Sequence, residues 1–417
     1  MVINMKVLGI ITEYNPFHKG HQYHIEEAKR ITGADYVIAV MSGDFMQRGI
    51  PAIIDKYTRT EMALSCGVDL VLELPVCYST SSAEYFASSS IAILDKLGII
   101  SSICFGSECA DISILKQIAS VLIEEPKEYK ECLLTLLKQG YNYPLARNRA
   151  LDLFFHNQKE ELDVLNSPNN ILGIEYIKAL LRRNSSIVPA TIKRVGSDYH
   201  SKDLSHVFAS ALSIRKAMQA GQDLSIIKEQ VPNYVYQILE KEVFNTFPVF
   251  RNDFSALLQY KILINQKDGF ASFSDVTSDL SDRILNQSDN YTTYSEFCDL
   301  LKTKEITYSR ISRMLLHILL DMKSDCLLNY VQHDYLNYAR ILGFRKNASD
   351  LLTAIKKNSS LTLLSKTADA KKLLSPLDYS IFEETIMASH IYQSVAAKKF
   401  NRPMKNEYTQ QIIISNS

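Results

Sequence analysis

The chain has 417 residues, of which 46% are hydrophobic and 22% are charged, and its 46 basic side chains equal its 46 acidic ones. This composition is typical of a globular protein, and the zero net charge argues against a uniformly basic nucleic-acid binder. No apolar run reaches the roughly 18 residues that a membrane-spanning helix needs, and no charged leader opens the chain, so we expect a cytoplasmic protein. The length of the chain predicts two or three domains.

The first part of the chain alternates short apolar runs with helical patterns. The runs that predict strands are Val7–Thr12, Asp35–Met41, Leu70–Leu74 and Ile99–Phe105. The segments with helical spacing are His21–Ile31, Lys56–Cys66 and Ala83–Leu97. This alternation predicts parallel βαβ units, hence an α/β fold with a Rossmann-like, doubly wound parallel sheet. Ligands of such sheets bind beyond the carboxyl ends of the strands.

After about Glu124 the pattern is mostly helical, with one return to a strand at Ser186–Lys193. Beyond Gly221 no clear strand alternation is evident, and the polar stretch Ser272–Thr293 is typical of a loop or an interdomain crossing. Helices are expected at Tyr234–Phe244, Ala256–Asn265, Ile311–Met322 and Asp350–Asn358. We therefore expect a nucleotide-binding domain over residues 1–222 and a mostly helical C-terminal region over residues 223–417.

The first predicted strand leads into the stretch NPFHKGH, in which His18 and His21 flank Gly20. A helix that starts after a strand and a loop presents free backbone N–H groups, which suit an anion such as phosphate. Gly20 has no Cβ to block a close approach, and the two imidazoles project to one side, where they can donate hydrogen bonds to phosphate oxygens. The alternative is a pair of surface or capping histidines.

NPFHKGH resembles the H-x-G-H signature of the adenylyltransferase superfamily that also contains the class I aminoacyl-tRNA synthetases. These proteins carry a second signature, in which a turn rich in Ser and Thr leads into a helix that begins with Arg. The stretch FASALSIRKAM resembles it, with Ser210, Ser213 and Arg215. Hydroxyls and a guanidinium suit a departing pyrophosphate. Taken alone, the same stretch is an N-capped helix with a surface arginine.

Longer stretches spread over most of the chain resemble the tRNA(Met) cytidine acetate ligase family; they are EYNPFHKGHQYHI, VMSGDFMQRGIPAIIDKYTR, DLVLELP, FGSE, SPNNILGIEYIKAL, TIKRVGSDYH and SRISRMLLHILL. The resemblance implies an ATP-dependent ligase that activates acetate as acetyl-adenylate. The acetyl group is then transferred to N4 of the wobble cytidine of elongator tRNA(Met). No metal-ligand spacing is evident, and the seven cysteines include no Cys-x-x-Cys pair. We therefore expect Mg²⁺ only as the partner of ATP.

The resemblance also implies the residues of the ATP site. The expected catalytic residues are His18, His21 and Arg215. The expected ATP-binding residues are Ile11, Thr12, Glu13, Tyr14, Asn15, Pro16, Phe17, His18, Lys19, Gly20, His21, Gln22, Tyr23, His24, Gly106, Asn169, Arg194, Val195 and Ser213. Asn170 competes with Asn169 for the nucleotide. Leu212 and Ser213 stand where Ala and Thr are more typical of the family, which leaves the role of Ser213 open.

Three further side chains are candidates on chemical grounds. Arg48, in the loop after the second predicted strand, could face the acetate carboxylate, although a structural ion pair is an equal alternative. The cytidine amine can attack acetyl-adenylate directly, so no covalent nucleophile is needed. Glu13 or Asp44 could accept the proton that the amine releases.

The C-terminal region carries an excess of positive charge. Residues 302–405 hold 17 Lys and Arg against 9 Asp and Glu, a net charge of +8. Arg310 and Arg313 lie three residues apart on a predicted helix, and Arg345 and Lys346 follow a tyrosine-rich segment. Cations beside aromatic rings suit phosphate contact and base stacking, so these four residues are the candidates for tRNA binding. The alternative is an ordinary charged helix surface.

Two other functions fit parts of the sequence. A small-molecule adenylyltransferase of the pantetheine-phosphate or nicotinate type shares both signatures, but such enzymes are usually compact and lack a long helical remainder. A non-catalytic RNA-binding protein built on a relic nucleotide domain is the second. The intact set of His18, Gly20, His21 and Arg215 argues against such a relic.

Overall fold

A computed structural model of the protein describes residues 5–155, 164–165, 167–194, 209–304 and 306–416. The strands are β1 (Val7–Thr12), β2 (Tyr36–Ser42), β3 (Phe45–Met46), β4 (Ile50–Pro51), β5 (Leu70–Leu74), β6 (Ser102–Ser107), β7 (Val188–Lys193), β8 (Tyr338–Arg345), β9 (Thr362–Leu364) and β10 (Ile413–Ser415). The helices up to the last signature are α1 (Lys19–Thr32), α2 (Lys56–Ser65), α3 (Val76–Ser79), α4 (Ala83–Lys96), α5 (Ile112–Glu124), α6 (Lys127–Lys138), α7 (Tyr143–Phe154), α8 (Pro168–Arg182) and α9 (Ala211–Gln219). The later helices are α10 (Asn233–Glu242), α11 (Ser255–Asn265), α12 (Ser278–Gln287), α13 (Tyr294–Leu301), α14 (Tyr308–Leu319), α15 (Ser324–Gln332), α16 (Ser349–Asn358), α17 (Ala370–Leu373) and α18 (Pro376–Lys399).

The predicted α/β fold is confirmed, with one central sheet in the order β10–β8–β5–β2–β1–β6–β7 and β9 paired to β8. Strands β5, β2, β1, β6 and β7 are parallel, so their carboxyl ends share one edge of the sheet. The chain adds β2 and β5 on one side of β1 and then returns to add β6 and β7 on the other side. The order therefore reverses between β1 and β6, and a crevice for a ligand is expected at this point.

Helices cover both faces of the sheet, because alternate residues of each central strand point to opposite faces. Val7 and Val40 belong to one buried apolar cluster, together with residues of α4, α5 and α8. Leu8 and Met41 belong to a second cluster, together with residues of α1, α2 and α9. Among the described residues, no helix combines the length and the apolar character that crossing a membrane requires.

The prediction that no strand follows Gly221 is wrong. Strand β8 pairs antiparallel with β5, with Arg340 opposite Glu73, and β9 and β10 pair with β8. The strand was missed because Arg340 interrupts its apolar pattern, and its charge is compensated by residues distant in sequence. The stretch Ser272–Thr293 is also not a loop throughout, since it contains α12. The boundary at residue 222 stays a prediction, although both predicted regions contribute strands to the sheet.

Candidate active site

A cavity of about 470 Å³ opens at the carboxyl edge of the sheet, around the predicted crevice. Of the expected ATP-binding and catalytic residues, those that line it are Ile11, Thr12, Glu13, Tyr14, Asn15, His18, Gly20, His21, Tyr23, His24, Gly106, Asn169, Arg194 and Arg215. The described residues of the expected set that are not part of its lining are Pro16, Phe17, Lys19, Gln22 and Ser213. Val195 lies outside the described residues. The cavity thus brings the two signatures together.

The loop between β1 and α1 is held from beneath by aromatic packing. Phe17 is fully buried, and its ring centroid lies 4.7 Å from that of Tyr14 and 5.5 Å from that of His21. The side-chain oxygen of Asn15 accepts a hydrogen bond of 2.7 Å from the backbone N–H of Ile53. Phe17 therefore supports the histidine side of the cavity instead of lining it.

His18 and His21 form a stacked pair at the start of α1. Their ring centroids lie 3.6 Å apart, and the backbone N–H of His18 donates to Nδ1 of His21 over 3.3 Å. Because Nδ1 of His21 accepts this bond, the neutral ring carries its proton on Nε2. His21 can therefore donate one side-chain hydrogen bond to a ligand in the cavity.

Burial lowers the pKa of all three histidines near the signature. The pKa of His18 falls to about 3, to which nearby Arg194 and Arg215 also contribute, and that of His24 falls to about 4. Burial and the neighbouring His18 hold the pKa of His21 well below its usual value. The three imidazoles are therefore neutral hydrogen-bonding groups at pH 7. Nδ1 of His18 and Nε2 of His24 are buried without a hydrogen-bond partner among the described residues, and a bound ligand could supply one.

Asn169 and Asn170, which lie near the ends of β6 and β7, make different contacts. Asn169 lines the cavity, where its Oδ1 accepts a hydrogen bond of 3.1 Å from Arg194. Asn170 is buried, and its Oδ1 accepts hydrogen bonds from the backbone N–H groups of Glu108 and Cys109. A Cβ on Gly106 would lie 3.2 Å from Cγ of Arg194, so the missing side chain leaves space for this arginine. Asn170 thus holds the loop after β6, and Asn169 lines the cavity.

The second signature meets the first through Arg215, whose NH1 group donates a hydrogen bond of 2.6 Å to the carbonyl oxygen of Asn15. Ser210 caps helix α9, because its Oγ accepts a hydrogen bond from the backbone N–H of Ser213. The Ser213 hydroxyl is buried and donates to the carbonyl oxygen of Ser210 over 2.8 Å. Ser213 therefore stabilises the helix start, while Ser210 and Arg215 line the cavity.

Arg59, to which sequence analysis assigned no role, holds the strand ends beneath the cavity. Its guanidinium is fully buried and donates hydrogen bonds to the carbonyl oxygens of Glu13, Ser42, Gly43 and Ile54. These four acceptors are neutral, so the arginine holds the ends of β1 and β2 by hydrogen bonds to the backbone. Arg59 lies among polar residues in the first half of α2, and this local sequence does not indicate the role.

The side of the cavity beyond β2 and β5 was only partly predicted. Arg48 lines it, together with Gln47 and Ile50 of the same β3–β4 hairpin and with Ala83 and Phe86 of α4. Apolar residues of α4 are indistinguishable by sequence pattern from ordinary core residues, which is why Ala83 and Phe86 were missed.

The two candidate proton acceptors lie in different places. Glu13 is the one carboxylate among the described residues that line the cavity. Asp44 is not part of that lining; it is buried, and its Oδ1 accepts a hydrogen bond of 3.0 Å from the backbone N–H of Lys56. This position does not support Asp44 as a proton acceptor for a substrate in the cavity. No group of three or more His, Cys, Asp and Glu in the described part of the chain is arranged to hold a metal ion.

The four candidates for tRNA binding lie at two separate places. Arg310 and Arg313 are on α14, and Nε of Arg313 donates a hydrogen bond of 3.0 Å to Asp275. Arg345 ends β8 and lies 3.6 Å from Asp69, and Lys346 beside it is exposed. The structure therefore does not bring the four cations into one patch.

The chain is similar in sequence to known proteins over most of its length. The model of the HIGH Nucleotidyl Transferase family matches residues 5–407. A tRNA(Met) cytidine acetate ligase of Acetivibrio thermocellus is 42% identical over 414 residues, which cover 98% of this chain and 100% of that protein. One of Clostridium novyi is 42% identical over 87% of this chain and 90% of its own length.

The fold of the chain is also similar to solved structures over nearly its full length. The crystal structure of apo Thermotoga maritima TmcAL has a TM-score of 0.93 and 33% identity, covering 99% of this chain and 100% of that one. A structure of the same protein bound with alpha-thio ATP has a TM-score of 0.92. The chain is thus a HIGH nucleotidyl transferase and belongs to the tRNA(Met) cytidine acetate ligase family.

Proposed function

We propose that the protein joins acetate to N4 of the wobble cytidine of elongator tRNA(Met), with ATP as the energy source and acetyl-adenylate as the intermediate. The observation that carries this proposal is the meeting of both nucleotide signatures at one cavity, with His18 and His21 on one side and Arg215 hydrogen-bonded to Asn15 on the other. The names of the similar ligases supply the substrates, and the TmcAL complex with alpha-thio ATP supports ATP as the nucleotide. A cytoplasmic location is part of this proposal.

In the first step an oxygen of acetate attacks the α-phosphorus of ATP, the bond to the β-phosphate breaks, and pyrophosphate leaves. The Nε2–H group of His21 and the N–H groups at the start of α1 face the phosphates. Arg194 and Arg215 supply positive charge as the phosphate oxygens become more negative in the transition state. Mg²⁺ would arrive with ATP and be held by its phosphates, because phosphate oxygens are ligands that it prefers.

In the second step the N4 amine of cytidine attacks the carbonyl carbon of acetyl-adenylate, and AMP leaves. The attacking amine releases a proton, and Glu13 is our candidate acceptor since it is the lining carboxylate. Its Oε1 already accepts a hydrogen bond of 2.8 Å from the backbone N–H of Gln47, which fixes the direction of the side chain. The basic C-terminal region would bind the tRNA, with Arg310 and Arg313 at one place and Arg345 and Lys346 at another.

The test is to incubate the protein with ATP, Mg²⁺ and labelled acetate, with and without bulk tRNA, and to follow label into adenylate and into RNA. We expect acetylated cytidine in tRNA, and we expect it to be lost in His21→Ala. The matched control is His333→Ala, since His333 is exposed and is not part of the cavity lining. ATP consumption without any dependence on acetate would instead indicate a small-molecule adenylyltransferase. Failure to bind ATP would indicate a non-catalytic RNA-binding protein.

A further inference from the structure

One side of the cavity has no role in the proposal above. The cavity has three parts that lie side by side, because the carboxyl ends of neighbouring parallel strands follow one another along the edge of the sheet. The first part lies at the ends of β6 and β7: Gly106 is near the end of β6, Arg194 directly follows β7, and Asn169 in the first turn of α8 accepts a hydrogen bond from Arg194. The histidine pair follows β1. The third part follows β2 and β5 and consists of Gln47, Arg48 and Ile50 in the β3–β4 hairpin and Ala83 and Phe86 at the start of α4.

The chemistry of this third part matches a small carboxylic acid. Arg48 provides a guanidinium, the group that binds a carboxylate with two parallel hydrogen bonds. Ile50, Ala83 and Phe86 provide an apolar wall beside it, and Phe86 is 2% exposed. A short acid needs these two features together, one for its carboxylate and one for its alkyl group.

The hairpin turn that presents Arg48 is firmly fixed. The backbone N–H of Gln47 donates to Oε1 of Glu13 over 2.8 Å, and its side-chain amide donates to the carbonyl oxygen of Ser81 over 3.1 Å. On its far side, the carbonyl oxygen of Gly49 accepts a hydrogen bond of 2.6 Å from Ser312 of α14. Fixed groups lose little conformational entropy when a ligand binds, so such a turn can bind a very small substrate.

The approach of the turn to α14 requires glycine. Gly49 has φ of +68°, and a Cβ there would lie 2.3 Å from the backbone nitrogen of Arg313. The turn therefore lies directly against the backbone of a helix from the C-terminal region. This contact holds Arg48 at the cavity from outside the nucleotide-binding part of the chain.

We propose that the β3–β4 turn and the first turn of α4 form the acyl subsite of the enzyme, in which Arg48 binds the carboxylate and Ala83 and Phe86 limit the acid to a short chain. This inference rests on the proposed function. One carboxylate oxygen attacks the α-phosphorus as the bond to pyrophosphate breaks, and the other becomes the carbonyl oxygen of the acyl-adenylate beside Arg48. Phe86 is thus a residue that determines acyl-chain length.

The experiment measures ATP–pyrophosphate exchange that depends on acetate, propionate or butyrate, together with the dissociation constant of ATP. For Arg48→Gln we expect the KM of acetate to rise about 10-fold to 100-fold, because a charged hydrogen-bond donor is lost, with little change in ATP binding. For Phe86→Ala we expect the ratio of propionate to acetate activity to rise roughly 10-fold, the usual effect of space for one methylene group.

Two further variants separate the subsite from general effects on folding. Ala83→Val adds volume without opening a cavity, and we expect it to raise the KM of acetate while ATP binding is kept. Phe297→Ala removes an equally buried ring in α13, outside the cavity lining, and should leave the ratio between the acids unchanged. If the wild-type protein forms no acyl-adenylate, the proposed function fails. If it does, but Arg48→Gln, Ala83→Val and Phe86→Ala keep the wild-type KM and acid preference, the acyl subsite alone is refuted.

Discussion

Replacing Lys56 by methionine removes one of two cations from a buried cluster of charges that joins distant parts of the chain. Nζ of Lys56 is fully buried and lies 2.7 Å from Glu73, 2.9 Å from Glu407 and 3.8 Å from Asp44. Arg340 of β8 lies 2.8 Å from each of the same two glutamates. Without Lys56, Glu73 and Glu407 would share Arg340, and Asp44 would lose the ammonium group that lies 3.8 Å from it.

The expected cost follows from this geometry. Removing one partner of a buried ion pair costs about 3–5 kcal/mol, because the other charge stays buried without compensation. The matched control is Lys127→Met, since Lys127 is 87% exposed and 4.0 Å from Glu131. Exposed pairs of this kind contribute about 0.5 kcal/mol or less. The two substitutions are chemically identical and differ only in burial.

The cost should also depend on pH. Burial raises the pKa of Asp44 to about 6, so ionising this group costs stability as the pH rises from about 4 to 6. Burial alone would raise the pKa of Glu407 as well, but Lys56 and Arg340 lower it to about 2. The stability from Glu407 is therefore present above about pH 4.5 and lost as the pH falls toward 2. Removing Lys56 raises both pKa values, so its penalty is larger at high pH, where the carboxylates are ionised.

The assay is urea unfolding of the wild-type protein, Lys56→Met and Lys127→Met at pH 7.5 and pH 5.5. We expect the free energy of unfolding of Lys56→Met to fall by about 3–5 kcal/mol at pH 7.5 and by less at pH 5.5. A loss below about 1 kcal/mol at pH 7.5 would refute the reasoning, since the cluster would then behave like a surface ion pair. A penalty that does not shrink at pH 5.5 would refute its electrostatic origin.

Four further substitutions test other parts of the structure. Gly173→Ala would place a Cβ 2.4 Å from the buried ring of Phe105, and we expect urea unfolding to show a loss of about 1–3 kcal/mol. Asn170→Ala should lower the unfolding temperature, because the loop after β6 loses its anchor, whereas Asn169→Ala should weaken ATP binding in a titration with little change in that temperature. Arg310→Ala should reduce the slope of log Kd for tRNA against log salt by about 0.7–0.9, the value for one lost phosphate contact, and an unchanged slope would exclude that contact.

The sequence predicts the N-terminal half of the sheet well because its signals are local. Each of β1, β2 and β5 is a short apolar run between polar loops, and the glycine of the H-x-G-H stretch marks the helix start. Strand β8 carries no such signal, because Arg340 is acceptable in its interior only when Glu73 and Glu407 are known to lie beside it. A pairing across 267 residues cannot be read from a local pattern.

The roles of individual polar residues were harder to predict than the elements that carry them. Asn169 and Asn170 are chemically identical neighbours, and only the direction of the first turn of α8 separates the ligand side from the loop side. Ser213 and Asp44 have the chemistry of a site, but Ser213 bonds to the backbone at the start of α9 and Asp44 lies in the buried charge cluster. Residue type thus predicts what a side chain could do, and packing decides whether it reaches a substrate.

The positions of the cations also indicate how a tRNA would approach. Strand β8 is antiparallel to β5, so Arg345 lies beside Asp69 at the amino end of β5, while the cavity lies at the carboxyl end. The five residues of β5 separate the two edges by roughly 17 Å. Helix α14, with Arg310, contacts the turn that presents Arg48, through Ser312. A tRNA whose wobble base enters the cavity would therefore meet α14 beside the reacting atoms, and Arg345 could contact only a part of the molecule farther from that base.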